Sequence, residues 1–145
     1  MLTDIKKQHY SKDQTDPIID LVNYQNVAYT GPIYFTSEFQ GIGAQPNFIY
    51  DTGSGALTTT STVCTAGCAS QYYNQTKSQT AITVDTEESQ LVYGSATLRG
   101  IFVEDTVCIA PKESDCVHNL KFLKIVEATG FAFDGIVGMS PTRNS

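Results

Sequence analysis

Short apolar runs, rich in β-branched and aromatic residues, alternate along the chain with turn residues. Runs of this kind, bounded by Gly, Pro, Asn or Ser, are typical of β-strands. They cover positions 21–22, 27–29, 33–35, 48–50, 57–63, 79–84, 91–93 and 120–126. We therefore predict an all-β domain of orthogonally packed or barrel-like sheets with little helix.

The composition narrows the class of protein. The 145 residues suffice for one domain, and 41% hydrophobic against 17% charged residues indicates a globular chain. The formal net charge of -6 argues against a nucleic-acid partner, which would require a basic surface. No apolar run approaches the roughly 20 residues of a membrane span, so we expect no membrane-spanning segment in these residues.

The stretch 47–55, NFIYDTGSG, combines an apolar strand with an acidic residue in a tight turn. The run 48–50 predicts a buried strand, and the two glycines that follow indicate a turn. Asp51 is therefore expected on a loop at the mouth of the sheet. A partly buried carboxylate there needs hydrogen bonds, which the hydroxyls of Thr52 and Ser54 are placed to supply.

A carboxylate on a rigid loop can act as a general base or as a nucleophile. Two carboxylates that face each other share one proton, because both cannot ionise at close range. The neutral group is then an acid and the charged group a base, so the pair can activate a water for attack on a peptide carbonyl. Asp51 is a candidate for one half of such a pair. In isolation it is also typical of a turn aspartate in a hairpin.

Two further stretches favour the catalytic interpretation. Residues 91–100 read LVYGSATLRG and are followed by DTV at 105–107, and residues 133–139 read FDGIVGM. Together with FIYDTGS at 48–54, they occur in the order found in pepsin-like aspartic proteases. The chain thus resembles the amino-terminal lobe of that family, which implies a pepsin-like acid-protease lobe with a catalytic loop and a flap.

The resemblance also implies roles for residues of the catalytic loop. Asp51 matches the catalytic aspartate of the family, and Thr52, Gly53 and Ser54 match the residues that support it. The stretch 133–139 matches a strand that passes behind this loop, where glycine permits close packing.

A second set of roles concerns the flap, a hairpin that folds over the substrate. Tyr93 matches the flap tyrosine, and Gly94 and Ser95 match the mobile tip. The family usually has a Trp near Thr58 that supports this tyrosine, whereas this chain has no Trp. We therefore expect the flap to be held differently and the neighbouring pocket to be more open.

The four cysteines form two close pairs, Cys64 with Cys68 and Cys108 with Cys116. Four thiolates can also bind zinc, but the wider second pair departs from the usual ligand spacing. The family has a small disulfide loop where Cys64 and Cys68 lie, and the other pair flanks a turn-rich stretch. We predict two local disulfides, hence an oxidising compartment, and neither a metal nor a cofactor.

Two further features concern modification and the remaining acids. Asn74 begins an Asn-Gln-Thr sequon in a polar loop and is a candidate N-glycosylation site.

Asp85, Asp105 and Asp134 stand in Asp-Thr or Asp-Gly dipeptides outside the catalytic motif. They are assigned to turns or strands rather than to a second catalytic acid.

The domain division follows from the change in composition near Pro17. Residues 1–17 are polar, with Lys6, Lys7 and Lys12, and lack the apolar core of a signal peptide. They are interpreted as the remnant of a basic pro-segment or as a solvated tail. Residues 18–145 are the expected amino-terminal lobe, incomplete at its end.

A pepsin-like enzyme has two lobes that each supply one aspartate, whereas this chain supplies only Asp51. The leading hypothesis is an aspartic endopeptidase whose missing carboxy-terminal lobe lies in sequence beyond this chain. One alternative is a retropepsin-like homodimer, and another is an inactive orphan lobe that binds peptides or proteins. The expected substrate is a polypeptide, and the expected location is the secretory pathway, a lysosome or vacuole, or the extracellular space.

Overall fold

The computed structural model describes residues 19–24, 28–45 and 47–141. Within them the chain forms ten strands and two 3₁₀ turns, at Gln75–Lys77 and Glu113–Asp115, with no α-helix. The strands are β1 (Val22–Tyr24), β2 (Ala28–Gly31), β3 (Tyr34–Phe35), β4 (Phe48–Asp51), β5 (Leu57–Thr59), β6 (Ile82–Thr83), β7 (Ser89–Tyr93), β8 (Ala96–Cys108), β9 (Cys116–Thr129) and β10 (Gly135–Gly138). The predicted tail 1–17 lies outside the described residues.

The ten strands form one mixed sheet. Its main path is β1-β2-β4-β10-β5-β9-β8-β3, and β6 and β7 also pair with β8. Most neighbours are antiparallel, but β10 is parallel to β4 and β5 is parallel to β9. The long β8–β9 pair has irregularities between Arg99 and Gly100 and between Asp105 and Val107. Such bulges bend and twist a strand pair, which lets one sheet curve around its own core.

Apolar side chains are buried in two clusters. The first cluster contains Ile33, Phe35, Phe48, Tyr50, Leu57, Tyr73, Val103, Val107 and Phe122. The second contains Ala96, Leu98, Leu123, Ile125, Ala128, Phe131 and Ile136. Adjacent residues of β9, Phe122 and Leu123, belong to different clusters because successive side chains of a strand point to opposite faces. The sheet therefore has a packed core on each face.

The predicted all-β class is confirmed, but several predicted strands are shorter than their sequence patterns, as in the run 79–84, where only Ile82–Thr83 forms a strand. The β-branched run extends to position 63, whereas β5 ends at Thr59. Beyond it, Tyr73 N donates to Thr60 O at 2.9 Å and Thr62 N donates to Tyr73 O at 3.0 Å. The run leaves the sheet because its backbone pairs with Tyr73, which lies two residues before the first 3₁₀ turn.

Both predicted local disulfides are present. Cys64 and Cys68 close a short loop after β5, with their Cα atoms 6.4 Å apart. Cys108 and Cys116 are opposite each other at the junction of β8 and β9 and enclose the second 3₁₀ turn. Across the described ranges, no helix has the length and apolar character needed to cross a bilayer.

Candidate active site

The candidate active site is built where β10 enters the sheet between β4 and β5. Gly138 of β10 lies opposite Asp51 in parallel register, and Val137 lies opposite Leu57 in antiparallel register. Because β10 separates β4 from β5, residues 52–56 must cross over its end. This loop carries the sequence predicted to be catalytic.

Backbone hydrogen bonds from the end of β10 hold this loop. Three consecutive N–H groups donate to carbonyl oxygens at 2.8–3.0 Å: Gly138 to Ala56, Met139 to Asp51 and Ser140 to Ser54. The loop is thus fixed at its beginning, middle and end by strand β10 and the residues that follow it. A side chain at Asp51 inherits this rigidity, which positions a reacting group.

Gly138 is the point of closest approach between β10 and the loop. A Cβ atom there would lie 2.4 Å from Ala56 N, 2.6 Å from Ala56 O and 2.7 Å from Gly55 C. These are backbone atoms, so a side chain would have to displace the loop itself. The resemblance implied a glycine with this packing role.

Gly138→Ala is accordingly expected to destabilise the chain by about 1–3 kcal/mol, the usual cost of overpacking. Urea unfolding of the 145-residue chain measures this difference. Val92→Thr is a suitable control, because Val92 is 64% exposed on β7 and Thr keeps its β-branched shape. Equal stability of Gly138→Ala and wild type would contradict the close approach.

Asp51 is half-buried, and its carboxylate is held by the backbone. Gly53 N donates to Asp51 Oδ1 at 2.9 Å. The sequence instead suggested hydroxyl support, but Thr52 is exposed and Ser54 Oγ is buried without a hydrogen-bond partner among the described residues. The residue types at 52 and 54 suggested hydroxyl donors, whereas the turn places the backbone N–H of Gly53 against the Asp51 carboxylate.

The predicted flap, residues 91–100, lies in the hairpin formed by β7 and the start of β8. Tyr93 pairs with Ala96, so Gly94 and Ser95 form a two-residue turn. Gly94 has a φ of +54°, and a positive φ at the first central position is typical of a type II′ turn. Leu91 and Tyr93 pack against the second cluster. The tip itself is exposed.

Tyr93 and Asp51 interact electrostatically. Burial raises the pKa of the Tyr93 phenol, and the negative charge of Asp51 raises it further. The proposed flap tyrosine therefore feels the charge of the Asp51 carboxylate. Like any tyrosine phenol at neutral and acidic pH, it is protonated and can donate a hydrogen bond.

An ion-pair cluster at the base of the flap was not identified from the sequence. Arg99 donates to both carboxylate oxygens of Glu127 at 3.1 and 3.4 Å, and its Nε lies 2.6 Å from Glu88 Oε1. Arg99 is opposite Gln90 and Glu127 in the two strand pairs. The cluster therefore connects both sides of the flap base to β9.

A second feature missed from the sequence is the anchor of β10 at Asp134. Its backbone N–H donates to Asn47 O at 3.1 Å, and its carbonyl accepts from Thr60 N at 2.7 Å. Its buried carboxylate accepts a hydrogen bond from Ser70 Oγ, which lies 2.8 Å from Thr60 Oγ1. Asp134 thereby joins the start of β4, the end of β5 and the loop after the first disulfide.

Asp134 should make the stability of the chain depend on pH. Burial raises the pKa of its carboxyl, and the hydrogen bond from Ser70 only partly opposes this. A raised folded pKa means that the folded state binds the proton more tightly. The protonated Asp134 carboxyl therefore contributes fully to the free energy of unfolding below the pKa it has in the unfolded chain. This contribution is lost as the pH rises through the pKa it has in the folded chain.

Asp134→Asn is therefore expected to raise the free energy of unfolding relative to wild type at neutral pH, with the difference vanishing at acidic pH. Urea unfolding of both chains over a pH series measures this. Asp85→Asn, at an exposed turn, controls for the change in net charge. A constant difference at all pH values would show that Asp134 does not titrate as proposed.

The other acidic candidates lie away from the loop. Asp105 is within β8 and fully buried, and Asp85 is in the turn after β6. No described carboxylate forms a hydrogen bond with Asp51, and the described residues contain no cluster of three or more His, Cys, Asp or Glu side chains. Asp51 can thus serve as a base for a water, but the described site supplies no facing acid.

The sequence is similar to those of known proteins. Residues 29–145 match the family model described as eukaryotic aspartyl protease. Plasmepsin I of Plasmodium falciparum (isolate 3D7) is 32% identical over 130 residues, which are 83% of this chain and 27% of that protein. Cathepsin E-B of Xenopus laevis is 32% identical over 133 residues, 85% of this chain and 31% of that protein. Cyprosin of Cynara cardunculus is 29% identical over 136 residues, which are 88% of this chain and 27% of that protein.

The chain therefore spans about a quarter to a third of the length of these curated relatives.

Proposed function

This chain belongs to the eukaryotic aspartyl protease family, and from that premise we propose that it is the catalytic amino-terminal lobe of an aspartic endopeptidase. Asp51 supplies one of two catalytic carboxylates, and the other comes from a carboxy-terminal lobe outside this sequence. The observation that best supports this proposal is the Asp51 loop, held by the end of β10 close to the flap tyrosine.

In the proposed mechanism, ionised Asp51 and a protonated partner aspartate hold one water between them. Asp51 removes a proton from the water as its oxygen attacks the peptide carbonyl carbon, and the partner aspartate protonates the carbonyl oxygen. The tetrahedral intermediate then loses its amine, which takes a proton from the dyad. Gly53 N–H keeps the Asp51 carboxylate oriented throughout these steps.

Tyr93 is proposed to close the cleft over the bound polypeptide. Its phenol is near Asp51 and remains protonated, so it can donate a hydrogen bond within the cleft. Closure of the flap would exclude water and strengthen the electrostatic interactions of the dyad. Thr52, Ser54 and the Gly94–Ser95 tip remain candidates for loop support and substrate contact.

The proposed location is the secretory pathway, a lysosome or vacuole, or the extracellular space. The two disulfides support it, because disulfides persist in oxidising compartments. The net charge of -6 is compatible with a soluble acidic protein. A polypeptide is the proposed substrate, and the residues that select its side chains would come from both lobes.

The 145-residue chain alone is expected to be inactive. Asp51 can bind a water, but no facing acid is available to protonate the carbonyl, and a half-cleft open to solvent weakens transition-state stabilisation. The test is to determine the mass of the purified chain in solution and to assay peptide cleavage at acidic pH, with and without a statine-type inhibitor.

Self-pairing is the alternative that this assay can detect. A two-fold dimer would bring two copies of Asp51 together, as in the retropepsin-like hypothesis. Inhibitor-sensitive activity that rises with the square of protein concentration would contradict the prediction of inactivity. If instead the longer protein also fails to cleave peptides, the orphan lobe that binds peptides or proteins becomes the better hypothesis.

A further inference from the structure

We propose that Asn74 is an acceptor for N-linked glycan. The inference rests on the secretory location proposed above but not on protease activity. Asn-Gln-Thr at 74–76 is the only Asn-x-Ser/Thr sequon in the 145 residues. The sequence motif alone is weak evidence, so the proposal depends on how the structure presents the side chain.

The sequon has a geometry that leaves the acceptor nitrogen available. Thr76 N and Thr76 Oγ1 both donate to Asn74 Oδ1, at 3.1 and 2.6 Å. All hydrogen bonds of this amide therefore fall on its oxygen, and Nδ2 has no hydrogen-bond partner within the described ranges. Two donors on Oδ1 withdraw electron density from the amide and make the Nδ2 hydrogens more acidic.

The backbone of Asn74 is fixed independently of its side chain. Asn74 N donates to Gln40 Oε1 and Gln40 Nε2 donates to Asn74 O, both at 2.9 Å. Asn74 also precedes the first 3₁₀ turn as its N-cap. The residue is half-exposed and Thr76 is exposed, so the sequon lies at the surface in one well-defined conformation.

This site is separate from the candidate active site. The hydrogen bonds of Asn74 involve Gln40, Thr76 and Lys77, and none involves the loop 51–56 or the flap. A bulky solubilising group there would extend from a turn whose described hydrogen bonds do not involve the loop 51–56 or the flap. Glycosylation at Asn74 is therefore compatible with substrate entry.

The chemical step requires a lipid-linked oligosaccharide diphosphate as co-reactant. Nδ2 of Asn74 attacks the anomeric carbon of the first sugar and forms an N–C bond. The bond from that carbon to the diphosphate oxygen breaks, and the lipid diphosphate leaves with the bonding electrons. Nδ2 gives one of its two protons to a base of the transferase, so no oxidant or reductant is consumed.

The experiment places the 145-residue chain behind a cleavable secretion signal and translates it with microsomes, which supply the transferase and the lipid-linked oligosaccharide. Peptide N-glycosidase then converts any glycosylated Asn to Asp, and mass spectrometry of the peptide containing Asn74 records the conversion. Signal cleavage and protection from added protease, measured in the same sample, establish that the chain entered the lumen.

Three variants test whether modification of Asn74 requires the intact Asn-x-Ser/Thr sequon. Gln75→Pro retains Asn74 and Thr76 but blocks the sequon, and a 3₁₀ or α-type turn accepts Pro at its first position. Thr76→Ser retains the hydroxyl and the sequon, whereas Thr76→Val has a similar shape without the hydroxyl. We expect conversion in wild type and Thr76→Ser, and its loss in Gln75→Pro and Thr76→Val.

Occupancy is read directly from the peptide, so a folding defect in one variant does not obscure the result. A translocated wild-type chain with unmodified Asn74 would overturn the proposal. Conversion that persists in Gln75→Pro would also overturn it, because the acceptor would then not be this sequon. Neither outcome bears on peptidase activity, which is tested separately.

Discussion

Replacing Asp51 by Asn in the longer protease that we propose should lower its peptidase activity by about a thousandfold or more. The amide keeps the shape of the carboxylate and retains an oxygen that can accept from Gly53 N–H. It cannot remove a proton from water, and it cannot share a proton with a facing aspartate. The loss should appear in kcat, because the base acts in the chemical step.

Stability provides the necessary control for this variant. Asp51 is half-buried at the end of β4, and within the described residues its side chain forms one hydrogen bond, from Gly53 N. Asp51→Asn should therefore unfold within about 0.5 kcal/mol of wild type, as most substitutions without a special mechanism do. Asp85→Asn, at an exposed position, should change neither kcat nor the free energy of unfolding. Undiminished turnover in Asp51→Asn would exclude Asp51 from the chemistry.

Asp105→Ala should cause the largest loss of stability, at least about 3 kcal/mol. Asp105 is fully buried, and its carboxylate accepts four hydrogen bonds at 2.6–2.7 Å. The donors are Tyr73 Oη, Ser78 Oγ, Thr80 Oγ1 and Thr106 N. Alanine would remove the acceptor of all four, and two of the donors, Tyr73 Oη and Thr106 N, belong to buried residues that would be left unsatisfied.

Two milder variants show whether the acceptor network is the cause. Tyr73→Phe removes one donor without removing the acceptor and should cost about 1 kcal/mol. Asp105→Asn retains one oxygen but turns an N–H₂ group toward donors, so its cost should be intermediate. Urea unfolding of the 145-residue chain gives all three values. Equal stability of Asp105→Ala and Tyr73→Phe would contradict the network.

The catalytic loop and the flap were accessible from the sequence because both are local. The apolar run before Asp51 and the glycines after it lie within one short stretch, and the flap turn is set by adjacent residues. The position of β10 behind the loop followed from the family resemblance, not from residue patterns. Its pairing joins segments from opposite ends of the described chain.

Contacts that depend on strand register were not accessible in this way. The approach of Arg99 to Glu88 and Glu127 requires two strand pairs to align. The hydrogen bond between Ser70 and Asp134 likewise joins a loop to the residue before β10. The Gly53 amide that holds Asp51 is a backbone group, so no side-chain motif identifies it.

The insertion of β10 between β4 and β5 has a consequence for the order of folding. β4 and β5 do not pair with each other, since each is bonded to β10. During synthesis the loop that carries Asp51 therefore lacks its hydrogen bonds to Gly138, Met139 and Ser140 until the ribosome has released residues 135–140. Pairing between such distant segments is slow, because the entropy of closing a long loop must be lost first. The rigid setting of the Asp51 carboxylate thus forms only after these distant segments have paired, and a shorter nascent chain carries Asp51 without it.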